Sequence, residues 1–217
     1  MKPARLYLAI LVVFVFVFAF SVVAGWFIVS QMQAERYAQA DPERALGWRP
    51  DHPQALLVLA ERQLAEGRFA ESRASARRLL AHEPLQGVAF RLLAAAADRE
   101  GRQDDAWRLY LIAEKRAPRD LQTRAWLTQR YLEQGNFAEA LGQIDRILRM
   151  APQRARSINP VLAQLATEPA FAEALAARLR QGPPWRADLL NSLRDPRAGN
   201  PVAVGRVMQA LQNQGGL

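Results

Sequence analysis

The sequence predicts an all-α chain, an N-terminal transmembrane helix followed by a stack of antiparallel helix pairs. Two observations carry this. An uncharged apolar run fills Leu6 to Ser30. Further on, glycines and prolines recur in step: Gly67, Gly101 and Gly135 stand 34 residues apart, and so do Pro84, Pro118 and Pro152. Two residue types locked to one period over three copies mark a repeated supersecondary unit.

The run LYLAILVVFVFVFAFSVVAGWFIVS spans twenty-five residues without a charge. As a helix it is about 37 Å long, enough to cross a ~30 Å hydrocarbon core with some tilt. Tyr7 and Trp26 lie near its two ends, where amphipathic rings favour the interface. Residues 1–30 therefore read as a signal anchor. The competing reading is a cleaved signal peptide with Val23 to Gly25 as its cleavage site, but the apolar region of such a peptide runs only ~7–15 residues. Lys2 and Arg5 precede the run, whereas Glu35, Asp41 and Glu43 offset Arg36 and Arg44 beyond it. By the positive-inside rule the N-terminus is cytoplasmic and the rest lies across the membrane. Lys2 and Lys115 are the only lysines in an alanine- and arginine-rich chain, a composition that suggests a GC-rich bacterial genome; in a Gram-negative cell the far side is the periplasm.

Residues 31–52 form a linker with one short helix. Asp41 is placed to cap DPERALGW with Pro42 in the first turn, and Trp48 is placed to cover the open edge of the first repeat. From residue 53 each unit reads as two helices. Stretches such as PQALLVLAERQLAEG and TRAWLTQRYLEQG carry apolar residues three and four apart and end at a glycine able to adopt φ > 0. After a short turn comes a second helix, FAEALGQIDRILRMAP in the third copy, stopped by its proline. So short a turn forces antiparallel packing. Ala60, Ala94 and Thr128 then face Ser72, Ala106 and Ala140, small residues that let the backbones approach, surrounded by Leu59, Leu93 and Leu127 and by Leu79, Ala113 and Ile147. A single hairpin cannot bury both apolar faces; a stack can.

Phe90, Leu93, Ala94, Gly101, Ala106 and Pro118 reproduce a known repeat pattern, so that residues 53–152 resemble the tetratricopeptide repeat (TPR) family, with repeats at 53–86, 87–120 and 121–152. Arg124 stands where the third repeat should have a bulky apolar residue, and Ala76 where the first should have an aromatic. The resemblance implies a right-handed α-solenoid whose first helices line a concave groove for peptides or partner helices. Matched position by position, that groove comprises Gln54, Leu57 and Glu61, then Val88, Arg91, Ala95 and Arg99, then Gln122, Ala125, Gln129 and Leu132. Leu57 and Glu61 replace the lysine and asparagine with which one TPR subclass grips C-terminal carboxylates, which argues against chaperone-tail recognition. Arg91 and Arg99 read either as forks for an acidic segment or as solvated helix residues.

Residues 153–217 read as a degenerate helical continuation. Asn159 before Pro160, Thr167 ahead of EPAFAEALAARLRQG, and Asn200 before Pro201 are each expected to cap a helix. Trp185 after Pro183 and Pro184 reads as a core plug at a helix start, with partner recognition as the alternative. The ending LQNQGGL lacks a polar capping helix, so a further part beyond Leu217 is expected.

Little here suggests chemistry. The absence of cysteine removes disulfides, thiolate metal sites and cysteine nucleophiles. His52 and His82, the two histidines, sit beside prolines near repeat ends, and surface loop roles are expected of both. Asp104 and Asp105 begin a second helix, where they favour the helix dipole, and no further oxygen ligands flank them for a metal. No glycine-rich phosphate loop occurs. The formal charge is +8, with Lys2 and Arg5 supplying two of these charges; spread over helices, the remainder reads as a solvated surface and not as a nucleic-acid site. The expectation is a non-enzyme without cofactor or metal: a bacterial inner-membrane protein, single-pass, with a periplasmic TPR domain acting as a scaffold or assembly factor. Its partners would be other envelope proteins or peptides, and the membrane through residues 6–30. The resemblance extends to envelope TPR proteins of polysaccharide export, towards which GPPWRADLLNSL leans the reading, and of cytochrome c maturation or the secretion translocon. The alternative is an anionic-glycan binder using Arg73, Arg77, Arg78, Arg154 and Arg156; a hydrolytic or regulatory subunit would need catalytic residues beyond Leu217.

Overall fold

The structure, a computed structural model, describes residues 3–194 and 200–215, with residues 3–12 described by their backbone alone. Lys2 and the last two residues of LQNQGGL, and the side chains of Arg5 and Tyr7, lie outside the described residues. All regular structure among the described residues is helical. Two compact units divide after Ala117.

In the first unit, α1 (Pro3–Tyr37) is a single helix of 35 residues. It is apolar on every side from Val13 to Val29, and its side chains there are exposed, Phe14 at 68% and Phe20 at 76% among them. A helix apolar all round requires an apolar surrounding. The expected linker from residue 31 begins instead as seven more residues of the same helix, ending at Tyr37. These last turns have a reason to stay helical: Ala34 and Ala38 are buried, and Ala38 packs with Ala45 and Ala55. Thus α1 is built into the unit and α2 (Pro42–Trp48) folds back along it. Asp41 caps α2 by accepting from the Arg44 backbone N–H at 3.1 Å, a contribution of about 1 kcal/mol.

Two hairpins follow, α3 (Pro53–Ala65) with α4 (Phe69–His82) and α5 (Gly87–Arg99) with α6 (Gln103–Arg116). Each turn is built identically. Gly67 and Gly101 have φ of 76° and 77°, and the residue after each donates its N–H five residues back, Arg68 to Gln63 and Arg102 to Ala97. This Schellman geometry needs a left-handed residue, which only glycine adopts without strain. Ser72 on α4 donates to the Ala60 carbonyl of α3 at 2.8 Å, so the small residues do bring the two backbones together. Gly87 is close for another reason: a Cβ there would lie 2.6 Å from the Ala117 backbone nitrogen.

The second unit contains α7 (Leu121–Glu133), α8 (Phe137–Met150), a 3₁₀ turn at Pro152–Arg154, then α9 (Ala155–Leu165), α10 (Pro169–Arg180), α11 (Arg186–Arg194) and α12 (Pro201–Asn213). The α7–α8 turn repeats the geometry of the first unit, with Gly135 at φ 70° and the Asn136 N–H bonded to Tyr131. Both helices of this hairpin contribute to one core with the C-terminal helices: Leu141 and Leu148 pack with Leu162, Phe171, Leu175, Trp185 and Leu211. Trp185 is 4% exposed and its indole N–H donates to Asp145 at 2.8 Å, so it is the core plug. Arg124, at a place expected to be apolar, is also buried; its guanidinium bonds the Pro118 carbonyl at 2.9 Å and Gln143 at 2.8 Å.

Three expected caps were specified after residue 152, and one is realised. Asn200 accepts from the N–H groups of Val202 and Ala203. Asn159, in contrast, is interior to α9 and buried, with Pro160 inside the helix. The carbonyl that Pro160 leaves without a donor belongs to Arg156, which is exposed and open to water. Thr167 stands one residue too early. With Pro169 at the first helical position the cap is Glu168, and the Thr167 hydroxyl donates back to Gln164.

Candidate partner-binding surface

In the first unit the starts of α3 and α5 meet the last turns of α1 and the ends of α2 and α4 at one cleft. His52 immediately precedes Pro53, and its Nδ1 accepts the Ala55 N–H at 3.2 Å, so an imidazole caps α3. The ring is 2% exposed, which corrects the surface-loop expectation for His52; His82, in the last turn of α4, has a half-exposed side chain. His52 Nε2 lies 3.3 Å from a Glu35 oxygen of α1 without making a hydrogen bond to it. Around this point Glu35, Arg49, His52, Pro53, Gln54, Leu57, Glu83 and Gln86 line an open cleft of about 390 Å³.

The charges of the cleft are mixed. Arg49 donates to Asp51 at 3.1 Å and to Gln31 on α1. Partial burial works to raise the Asp51 carboxyl, but the Arg49 hydrogen bond, a backbone N–H and the charges of Arg49 and His82 outweigh it and hold it below the usual carboxylate range. The cleft therefore offers carboxylates, a guanidinium and amides around the apolar Leu57. That set suits a polypeptide carrying its own donors and acceptors. No nucleophile is paired with a base there, and among the described residues no group of three metal-ligating side chains occurs.

Of the residues expected to line a groove, Gln54 and Leu57 are in this cleft. One turn further along α3, Glu61 is joined to Arg91 of α5 at 2.6 Å. Arg91 is only 6% exposed, so its charge is committed to that pair. Val88 and Ala95 are half-buried and Arg99 is exposed. In the second unit Gln122, Ala125 and Gln129 are exposed on α7, Gln129 bonded to Glu133, while Leu132 packs against the unit's core. The five arginines weighed for an anionic polymer differ in their freedom. Arg73 pairs with Glu100 and Arg78 donates to the Pro50 carbonyl, whereas Arg77, Arg154 and Arg156 are exposed.

Sequence reasoning missed Glu35, Arg49, His52, Glu83 and Gln86 as cleft residues. A signal existed for two of them. His52, Gln86 and Asp120 are 34 residues apart and are the residues preceding α3, α5 and α7, so the period that located the glycines also locates the entries to the first helices. No model of a known protein family matches the chain, and no curated protein is significantly similar to it.

Proposed function

We propose that the chain is a membrane-anchored protein-interaction scaffold or assembly factor of the bacterial cell envelope, with a TPR-type α-solenoid on the periplasmic side of the inner membrane. The observation that carries this reading is the recurrence of one hairpin at a 34-residue step, with identical glycine turns, behind an apolar helix of membrane-crossing length. Short helix pairs that expose a polar, non-catalytic face to a cleft are surfaces for other polypeptides. Arg91 joined to Glu61 supports a structural part for that arginine and leaves Gln54, Leu57 and Arg99 as variable surface of the first unit, with Ala125 exposed on α7 of the second. Polysaccharide export is the envelope process to which this reading leans, on the resemblance alone.

Isolation of the full chain from native membranes in mild detergent, with mass spectrometry of what accompanies it, tests the proposal. One or a few envelope proteins in constant ratio to the chain are expected. A purified complex containing this chain alone would overturn the scaffold reading.

A further inference from the structure

The contact between the apolar helix and the folded unit fixes more than an attachment point. Trp26 on α1 and Trp48 at the end of α2 lie with ring centroids 5.9 Å apart. Positions 7 and 26 are nineteen residues apart on one helix, about 28 Å along its axis, which matches a hydrocarbon core of ~30 Å with Trp26 at its outer boundary. Trp48 must then share the depth of Trp26, at the interface. Arg49 is bonded to Gln31, five residues beyond Trp26 and so roughly 7 Å further out, within the headgroup layer. Arg78 of α4 is drawn to the same turn by its bond to the Pro50 carbonyl at 2.7 Å. Away from this tip, Arg62 of α3 reaches Glu43 and the Ala40 carbonyl, at the far end of the α1–α2 hairpin, so α3 climbs away from the membrane as α2 descends to it.

We propose that the turn Gly47–Trp48–Arg49–Pro50 rests on the phospholipid surface of the bilayer that holds α1, with Trp48 in the interface and Arg49 and Arg78 opposite lipid phosphates. This rests on the reading of α1 as a membrane span. The occupant of the surface is set by continuity: the same helix that enters the bilayer carries the contact, without a flexible linker, and the tip offers what a phospholipid boundary selects, an amphipathic ring and guanidinium groups, that of Arg49 shared with the Asp51 carboxylate beside it. The folded unit consequently sits at the membrane with a fixed face towards it, and its His52 cleft opens within reach of that surface.

The lack of cysteine makes site-specific labelling of the full chain direct. Gly47→Cys tests the tip, where an added Cβ meets nothing within 4 Å; Phe27→Cys tests the span and Ala65→Cys the far end of α3. Each is labelled with a fluorophore and reconstituted into vesicles of phosphatidylethanolamine and phosphatidylglycerol carrying a nitroxide near the headgroup. The proposal expects Phe27→Cys and Gly47→Cys both to be quenched and Ala65→Cys to be unaffected. Quenching of Phe27→Cys with Gly47→Cys behaving like Ala65→Cys would overturn the proposal while leaving the anchor intact, and would assign the tip to a protein partner. Absence of quenching at all three would overturn the anchor reading and the proposal together.

Discussion

The buried apolar residues of the first unit include small groups rich in alanine: Ala38 with Ala45 and Ala55, Ala60 with Ala76, Leu92 and Leu93, and Leu56 with Leu79 and Ala89. In the second unit one continuous core joins α8 to α12 and holds Phe171, Trp185 and a set of leucines. Alanine brings helix axes close, so the first unit depends on backbone approach and on polar ties such as Ser72 to Ala60 and Ser75 to Gln63. The second depends on side-chain volume. The same kind of hairpin thus opens onto two kinds of interior, and substitutions should separate them.

The largest effect is expected in the second unit. Phe171 is fully buried and stacks edge-on with Phe137 at 5.4 Å, so Phe171→Ala should cost about 3–5 kcal/mol. Hydrogen exchange on the detergent-solubilised full chain should show lost protection in α8 to α12, with α3 to α6 retained. Equal loss in both units would remove the distinction between them. Gly87→Ala addresses the first unit: its Cβ would press on the Ala117 backbone at 2.6 Å, and a cost of roughly 1–3 kcal/mol is expected for such overpacking. Thermal unfolding that leaves Gly87→Ala unchanged would contradict close backbone approach as the basis of this unit.

Gly101→Ala separates conformation from packing. Nothing lies within 4 Å of a Cβ there, yet φ is 77°, so the expected loss of about 1–2 kcal/mol comes from the left-handed backbone alone. Gly25→Ala, at a helical position equally open, should show no such loss in the same denaturation series. The smallest effect concerns pH. The Asp51 carboxyl is held below its ordinary value in the folded chain, so its contribution is present above the unfolded carboxylate pKa of about 3.9 and is lost as pH falls through the folded value. Asp51→Asn should lower neutral-pH stability slightly and flatten the acid dependence below about pH 4, so that the two chains converge in acid. Its side chain is 43% exposed, which keeps the effect small.

The parts legible in the sequence were those governed by a local rule. Gly67, Gly101 and Gly135 announce the three turns because a Schellman stop needs a left-handed residue, and Asp41 and Asn200 announce caps because their oxygens reach N–H groups two or three residues on. Thr167 and Asn159 obeyed the same composition rule and failed, since Pro169 and the 3₁₀ turn at Pro152 decide where α10 and α9 begin. The run of α1 through Tyr37 was hidden because the apolar run stops at Ser30, and what fixes the following turns in place, the burial of Ala34 and Ala38, is tertiary. The position of His52 was marked by the 34-residue step, but its role was hidden: capping by an imidazole has no strong sequence preference, and its cleft is assembled from α1, the end of α2, α3 and the turn before α5. Arg91 was visible as a groove position, but its bond to Glu61 joins residues thirty positions apart and follows no helix-local spacing.

The central claim, that the first helices present a surface for other envelope proteins, is tested most directly by photocrosslinking in living cells. A photoreactive amino acid is placed at Leu57 on α3 or, as the comparison, at Arg77, which is exposed on α4 of the same hairpin. The account predicts adducts between the Leu57 position and one or a few envelope proteins, with the Arg77 position giving none of them. Equal adducts from both positions, or only lipid and self adducts from Leu57, would contradict it.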